Sequence, residues 1–276
     1  TIPDAMGLGL SIVENEGPRF ERCIRNTADL NRLGDQDPET ELRYVMDAMR
    51  LIRHELDNRV PLIGFAGSPW TLATYMVEGA PSKEFAHIKG MLYQDPGLLH
   101  ALLRKLALNV ANYLTAQAAA GAQVLMIFDT WGGALTPPAF REFSLAYMTD
   151  IIAALRTAGV DAPVIVFTKG GGLWLEYIAA SGCDAVGVDW TTDLRDARAR
   201  VGDRVAVQGN LDPAILTAAP EVVRREAAAV LARYGSGPGH VFNLGHGIQP
   251  HADPDNLRVL VDSVHDLSRA YHQETR

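Results

Sequence analysis

From Val60 onward the chain alternates short apolar runs with longer amphipathic stretches. The runs Val60–Ala66, Gln123–Asp129, Val164–Thr168, Ala185–Trp190, Val205–Gly209 and His240–Leu244 predict strands. Most are rich in Val, Ile and Phe at successive positions, the pattern of parallel strands covered on both faces. Between them, Asp95-Pro96, Thr136-Pro137, Asp212-Pro213 and Asp253-Pro254 each set a capping side chain before a proline, which predicts four helix starts. Beyond Pro96, Leu99, Leu102, Leu103, Leu106, Val110 and Leu114 line a helix that Gly121 ends. Leu42, Val45, Met46, Met49, Ile52 and Leu56 give an earlier helix, over Glu39–Leu56, one apolar face. Residues 8–20 read as an extended pair turning at Glu16-Gly17-Pro18.

Repeated strand–helix alternation implies a parallel sheet with right-handed crossovers, hence an α/β fold. Six such strands are predicted, whereas a closed (β/α) barrel has eight. Periodicity alone leaves two architectures open: a doubly wound sheet complete in these residues, or a TIM-type barrel whose first two strands lie upstream of Thr1. No linker, repeat or low-complexity segment interrupts the pattern, so residues 1–276 read as a single domain.

Composition narrows the partners. Hydrophobic residues make up 47% and charged residues 21% of the 276, enough apolar material for a large core. A net charge of −8 argues against a general nucleic-acid or membrane-surface role, which needs a basic face, but leaves room for a local anion site. Cys23 and Cys183 form no Cys-x-x-Cys pair and no disulfide framework, the usage of a reduced, cytoplasmic protein. No apolar run approaches the ~20 residues of a membrane span, and no signal peptide is recognisable.

In either architecture the ligand sits where the strands end at their carboxyl side. All six ends carry glycines or small polar groups, which predicts a wide mouth. In Gly64-Phe65-Ala66-Gly67-Ser68-Pro69-Trp70-Thr71, Ser68 is placed to cap a helix that Pro69 opens, and Tyr75 follows about two turns in. Taken alone, this is a strand-to-helix turn with a core tyrosine. Gly170-Gly171-Gly172 matches neither phosphate-loop spacing and reads as a tight turn. Lys169 before it would pair either an anionic ligand or a neighbouring carboxylate. His246 lies between two glycines, where core packing does not explain it, and could donate a hydrogen bond or move a proton. Metal binding is the weakest use of it, since no other strand end offers a His or Cys cluster. Asp129 and Asp189 also end strands, as chemical groups or as helix caps. No Gly-x-Ser-x-Gly elbow supports a Ser-His-Asp triad.

Together the strand ends resemble a known family. Phe65-Ala66-Gly67-Ser68-Pro69-Trp70-Thr71-Leu72 with Tyr75-Met76-Val77-Glu78-Gly79, Asp189-Trp190-Thr191, Gln208-Gly209-Asn210-Leu211-Asp212-Pro213, Asn243-Leu244-Gly245-His246-Gly247-Ile248 and Pro3-Asp4-Ala5-Met6-Gly7 are similar to the uroporphyrinogen decarboxylases. The likeness runs through essentially the whole chain in one order. It implies a (β/α)8 barrel, a homodimer, and loss of four acetate carboxyl groups from uroporphyrinogen III to give coproporphyrinogen III, with neither cofactor nor metal. Protonating a pyrrole carbon makes the substrate its own electron sink, the service a cofactor supplies elsewhere. By position, Tyr75, Thr130 and His246 match the family's substrate contacts, each able to give a hydrogen bond to a carboxylate arm. The resemblance assigns no proton donor within these residues.

The chain departs from the pattern in one respect. The family's segment of the type Met-Arg-Gln-Ala-Gly-Arg-Tyr and its Phe-Ser-Asp-Ile-Leu block do not occur in the 276 residues. By the family pattern they would precede Thr1, together with two barrel strands, the main carboxylate-binding arginines and the carboxylate that faces the pyrrole nitrogens. The expectation is that residues 1–276 alone do not turn over substrate. Two other readings stand beside this one. A zinc-dependent corrinoid or thiol methyltransferase on the same fold would need a His-x-Cys pair where this chain has Thr168-Lys169-Gly170. A non-catalytic tetrapyrrole-binding remnant is the third.

Overall fold

The computed structural model describes residues 1–13 and 17–272. They fall into two compact units, Thr1–Val164 and Ile165–Arg276. Among the described residues a parallel sheet of six strands runs in chain order, from Ile63–Gly67 at one edge to His240–Leu244 at the other.

The first unit opens with an antiparallel pair, β1 (Leu10–Val13) and β2 (Gly17–Phe20), Leu10 opposite Phe20 and Val13 opposite Gly17. The predicted turn is displaced: Gly17 and Pro18 already belong to β2, and Glu16 lies outside the described residues. A two-stranded ribbon leaves an outer edge where a residue without an N–H loses nothing, so Pro18 is tolerated within the strand. After α1 (Thr27–Leu30) comes α2 (Arg43–Leu56), which begins four residues later than the periodicity predicts. Asp37 is the reason. Its carboxylate accepts from the Glu39 N–H (3.0 Å), its C=O from the Thr40 hydroxyl (3.2 Å), and its own N–H bonds to Glu41 (2.8 Å). These local bonds compete with the first helical turn. The apolar face of α2 is also only partly covered, with Met46 and Met49 buried but Ile52 exposed.

Then follow β3 (Ile63–Gly67), α3 (Pro69–Glu78), α4 (Ala86–Gln94), α5 (Pro96–Ala119), β4 (Val124–Asp129), α6 (Pro137–Phe140) and α7 (Ala146–Thr157). Asp95 caps α5 by accepting from the Leu98 N–H at 3.0 Å, and Gly121 takes the positive φ (+112°) that lets the chain leave the helix. Leu99, Leu102, Leu103, Leu106, Val110 and Leu114 on α5 are all fully buried. Thr136 precedes α6 without a side-chain cap bond, so the proline alone marks that start. Gln117 on α5 is buried and serves β3: its amide oxygen accepts from the Phe65 N–H (2.7 Å) and its nitrogen donates to the Phe65 C=O (2.9 Å). A side-chain amide thus satisfies both backbone groups of one strand residue.

The second unit carries β5 (Val164–Thr168, its first residue in the first unit), α8 (Leu175–Ala179), β6 (Ala185–Gly187), α9 (Leu194–Val201), β7 (Ala206–Leu211), α10 (Pro220–Tyr234), β8 (His240–Leu244) and α11 (Pro254–Leu267). Ile165 faces Ala185, Ala185 faces Ala206, and Val207 faces His240. β6 is shorter than predicted because Asp189 turns the chain to bond Thr191, while β7 extends through Asn210 and Leu211, paired with Asn243 and Leu244. Asp212-Pro213 opens a 3-10 helix, Pro213–Thr217, rather than an α-helix.

Burial on both strand faces holds for the inner strands and fails at the edges. All five residues of β5 are buried, but Phe65 of β3 is 60% exposed and Val241 of β8 42%. β3 and β8 each have one strand neighbour in the sheet, and an edge strand has fewer groups to cover it.

Candidate functional site

In the first unit, the sequence from Gly67 to Thr71 builds a scaffold. Ser68 caps α3 by accepting from the Thr71 N–H (3.0 Å), and its hydroxyl donates to the Asp129 carboxylate (2.7 Å). The hydroxyls of Thr71 (3.2 Å) and Ser144 (2.8 Å) bond to the same carboxylate, which is fully buried. Asp129 caps no helix. It ties the ends of β3 and β4 to a π-helical turn at Arg141–Leu145. Trp70 is also fully buried, and its indole N–H donates to the Trp131 C=O at 3.0 Å.

That scaffold presents an aromatic face. Tyr75, half-buried on α3, meets the Trp131 ring edge-on at 6.2 Å between centroids, and Phe85 meets the same ring in a tilted arrangement at 5.2 Å. Thr130 is half-buried beside Trp131 in sequence. Among the described residues the hydroxyls of Tyr75 and Thr130 meet no hydrogen-bonding partner, and the buried indole N–H of Trp131 has no acceptor. Three donors are therefore available around one aromatic pair. The structure brings Tyr75 next to the loop that carries Thr130. Trp131, which the sequence reading passed over, links them; its only signal was an aromatic among the small residues of a strand end.

In the second unit, Asp189 is buried and also fully engaged. It accepts from the Gly170 N–H (2.5 Å), the Thr191 N–H (2.9 Å) and the Thr191 hydroxyl (2.5 Å). It too caps no helix; α9 takes its cap from Asp193. Asn210 donates to the C=O groups of Asp189 (2.9 Å) and Thr192 (2.6 Å). Arg200 donates to the Gly172 C=O (2.7 Å) and grips Glu176 through two nitrogens at 2.6 and 2.7 Å. Hydrogen bonding to Arg200 pulls the Glu176 carboxyl down to about 2. Gly245 is required by space, since a Cβ there would lie 2.7 Å from the Trp190 nitrogen. The triple glycine is a tight turn, Gly170 adopting φ +74°, pinned at both ends by Asp189 and Arg200.

On this braced base stand Lys169, Trp190 and His246. The Lys169 Nζ lies 5.9 Å from the Trp190 ring centroid. His246 is half-buried, with its ring edge-on to Phe167 at 6.0 Å. Burial chiefly, and then the Lys169 cation, hold the His246 imidazole below its usual range, against the opposing charge of Asp189. At neutral pH the ring is uncharged, with one nitrogen donating and one accepting. Among the described residues there is no group of three or more His, Cys, Asp or Glu side chains placed to hold a metal ion. No described helix is long and apolar enough to cross a membrane.

A family model described as uroporphyrinogen decarboxylase (URO-D) matches residues 1–267. Proteins named uroporphyrinogen decarboxylase are similar over nearly all of this chain. That of Thioalkalivibrio sulfidiphilus is 65% identical over 267 residues, covering 96% of this chain and 76% of its own length. That of Alkalilimnicola ehrlichii is 60% identical over 276 residues, covering 99% and 76%. Among solved structures, a methyltransferase from Methanosarcina mazei superposes with a TM-score of 0.77 at 20% identity, over 96% of this chain and 77% of that one. A B12-independent methionine synthase from a Shewanella species gives 0.57 at 12% identity, over 82% and 65%. These two likenesses concern the fold.

Proposed function

The chain belongs to the uroporphyrinogen decarboxylase family, and from that membership we propose that it acts on uroporphyrinogen III, converting its four acetate arms to methyl groups and yielding coproporphyrinogen III. In each cycle a proton adds to a pyrrole carbon, the ring becomes a cation, and the C–C bond to the carboxylate breaks with its electron pair drawn into the ring. CO2 leaves, a proton completes the methyl group, and the proton first added to the ring carbon departs to restore the aromatic pyrrole. Per arm, one carboxylate and one proton become CO2 and a C–H bond, so no oxidant or metal enters the balance. The protein's part is to bind a polyanion, orient it and favour the cationic intermediate in a site sheltered from water.

The single observation that carries this reading is the match over residues 1–267. The local chemistry agrees with it. Tyr75, Thr130 and His246 are half-buried donors at or near strand ends, and we assign them as contacts to carboxylate arms. Asp129 and Asp189 act as scaffold, because their oxygens are taken by hydroxyl and N–H groups of the protein. The methyltransferase alternative gains nothing from its fold likeness, and the strand end that should offer soft ligands reads Thr168-Lys169-Gly170. Family membership also supports a cytoplasmic homodimer, which sedimentation at micromolar concentration tests.

Two measurements test the function. Anaerobic titration with uroporphyrinogen III should quench the fluorescence of Trp131 and Trp190. Anaerobic incubation with these residues joined to the arginine- and aspartate-bearing segments of a relative, followed by oxidation and chromatography, should show products with seven to four carboxyl groups, whereas residues 1–276 alone should bind without turnover. Failure of both overturns the proposal.

A further inference from the structure

Among the described residues, Lys169 is a cation without a counter-ion. It is half-buried at the carboxyl end of β5, and among the described residues no carboxylate lies within ion-pair distance of its Nζ. Asp189, the acid whose charge bears on the same histidine, has both oxygens occupied by Gly170 and Thr191. Glu176 is held by Arg200. The face of Trp190 offers only a contact at the outer limit of a cation–π interaction, and that ring is 40% exposed. Beside the ammonium stands His246, whose protonation Lys169 opposes. The local groups are thus donors and positive charge, with the nearby acids already committed.

The backbone that presents Lys169 is held on purpose-built bonds. The next residue donates its N–H to Asp189, and Gly172 accepts from Arg200. Gly172 has room for no side chain, because a Cβ would meet the Thr192 hydroxyl. A stiff loop that holds a lysine head where no protein acid meets it is preorganised for an anion from outside.

Resting on the function proposed above, we propose that Lys169 binds one carboxylate arm of the substrate, between Trp190 and His246, and is a specificity-determining residue for the polycarboxylate. A carboxylate seated there cancels the ammonium's field at His246. Ligand binding should therefore make His246 easier to protonate, coupling recognition of an arm to proton uptake at the neighbouring ring. The charged groups that act on His246 are Lys169, which disfavours its protonation, and Asp189, which favours it.

The test is anaerobic equilibrium binding of uroporphyrinogen III to the wild type, Lys169→Met and Lys169→Arg, followed by tryptophan quenching, with His246 titrated by NMR in the free and bound forms. Expected are at least tenfold weaker binding for Lys169→Met, affinity within about threefold of wild type for Lys169→Arg, and an upward shift of the His246 titration on binding in the wild type that Lys169→Met lacks. Should Lys169→Met not fold, Lys169→Gln carries the same comparison. Wild type that binds while the methionine or glutamine variant binds equally well overturns the role of Lys169. So does failure of arginine to restore affinity in a folded protein. Wild type that does not bind uroporphyrinogen III overturns the functional reading itself, and the inference with it.

Discussion

Asp129 and Asp189 occupy equivalent stations in the two units, each a buried aspartate following an apolar run, and the fold uses them differently. Asp129 collects three side-chain hydroxyls, from Ser68, Thr71 and Ser144. What it supports is an aromatic pair, Tyr75 and Trp131. Asp189 collects two backbone N–H groups and one hydroxyl, and what it supports is a loop that carries a cation, Lys169, beside His246. An aspartate at a strand end is thus no evidence of chemistry in either place. The reactive groups are its neighbours, which the aspartate holds still.

The comparison is open to breakage, first at the aspartates. Asp129→Ala leaves three buried hydroxyls without their acceptor and should cost about 3 kcal/mol or more in urea unfolding, since each bond to a carboxylate is worth roughly 1.5–3 kcal/mol. Asp189→Ala should cost about 2 kcal/mol, because two of its three donors are backbone groups in loops that water can reach. Its clearer signature should be faster amide exchange at Gly170. A larger loss for Asp189→Ala than for Asp129→Ala would reverse the ranking of the two scaffolds.

Acid titration sharpens the second unit. The Glu176 carboxyl sits at about 2 in the folded chain and near 4.5 when free, so its contribution to stability is complete above pH 4.5 and is lost as pH falls toward 2. Both partners are substantially exposed, so the effect is a modest drift of the urea midpoint, and Arg200→Met should flatten it. His246 contributes in the same sense at higher pH. Its folded value lies below 6.5, so stability is complete above that pH and declines as pH falls through the lowered value. NMR titration of His246→Gln against wild type isolates its signal. The smallest effect belongs to Tyr75→Phe. Its hydroxyl has no partner among the described residues, so stability should stay within about 0.5 kcal/mol. Binding of uroporphyrinogen III should weaken severalfold, and an unchanged affinity would remove Tyr75 from the site.

Much of the fold was legible. Apolar runs such as Val164–Thr168 and His240–Leu244 became strands at those boundaries, the first fully buried and the second partly exposed, and Asp95-Pro96 and Asp253-Pro254 became capped helices. Errors arose where a local bond outbid periodicity. Asp37 delayed α2, and Asp189 cut β6 short. The site was legible only in outline. Glycines and small polar groups at strand ends marked the mouth, and the family pattern named Tyr75, Thr130 and His246. Nothing in the residue order showed that Ser68 and Thr71 serve Asp129, some 60 positions away.

The sequence by itself determined the α/β alternation, the helix starts and family membership, because these depend on periodicity, capping chemistry and residue identity along the chain. Only the tertiary structure decided which polar groups are committed and which are available. Whether an aspartate or a lysine meets a partner depends on atoms that are distant in sequence and within 3 Å in space. Asp129 and Asp189 are saturated by such partners, and among the described residues Lys169 meets no carboxylate.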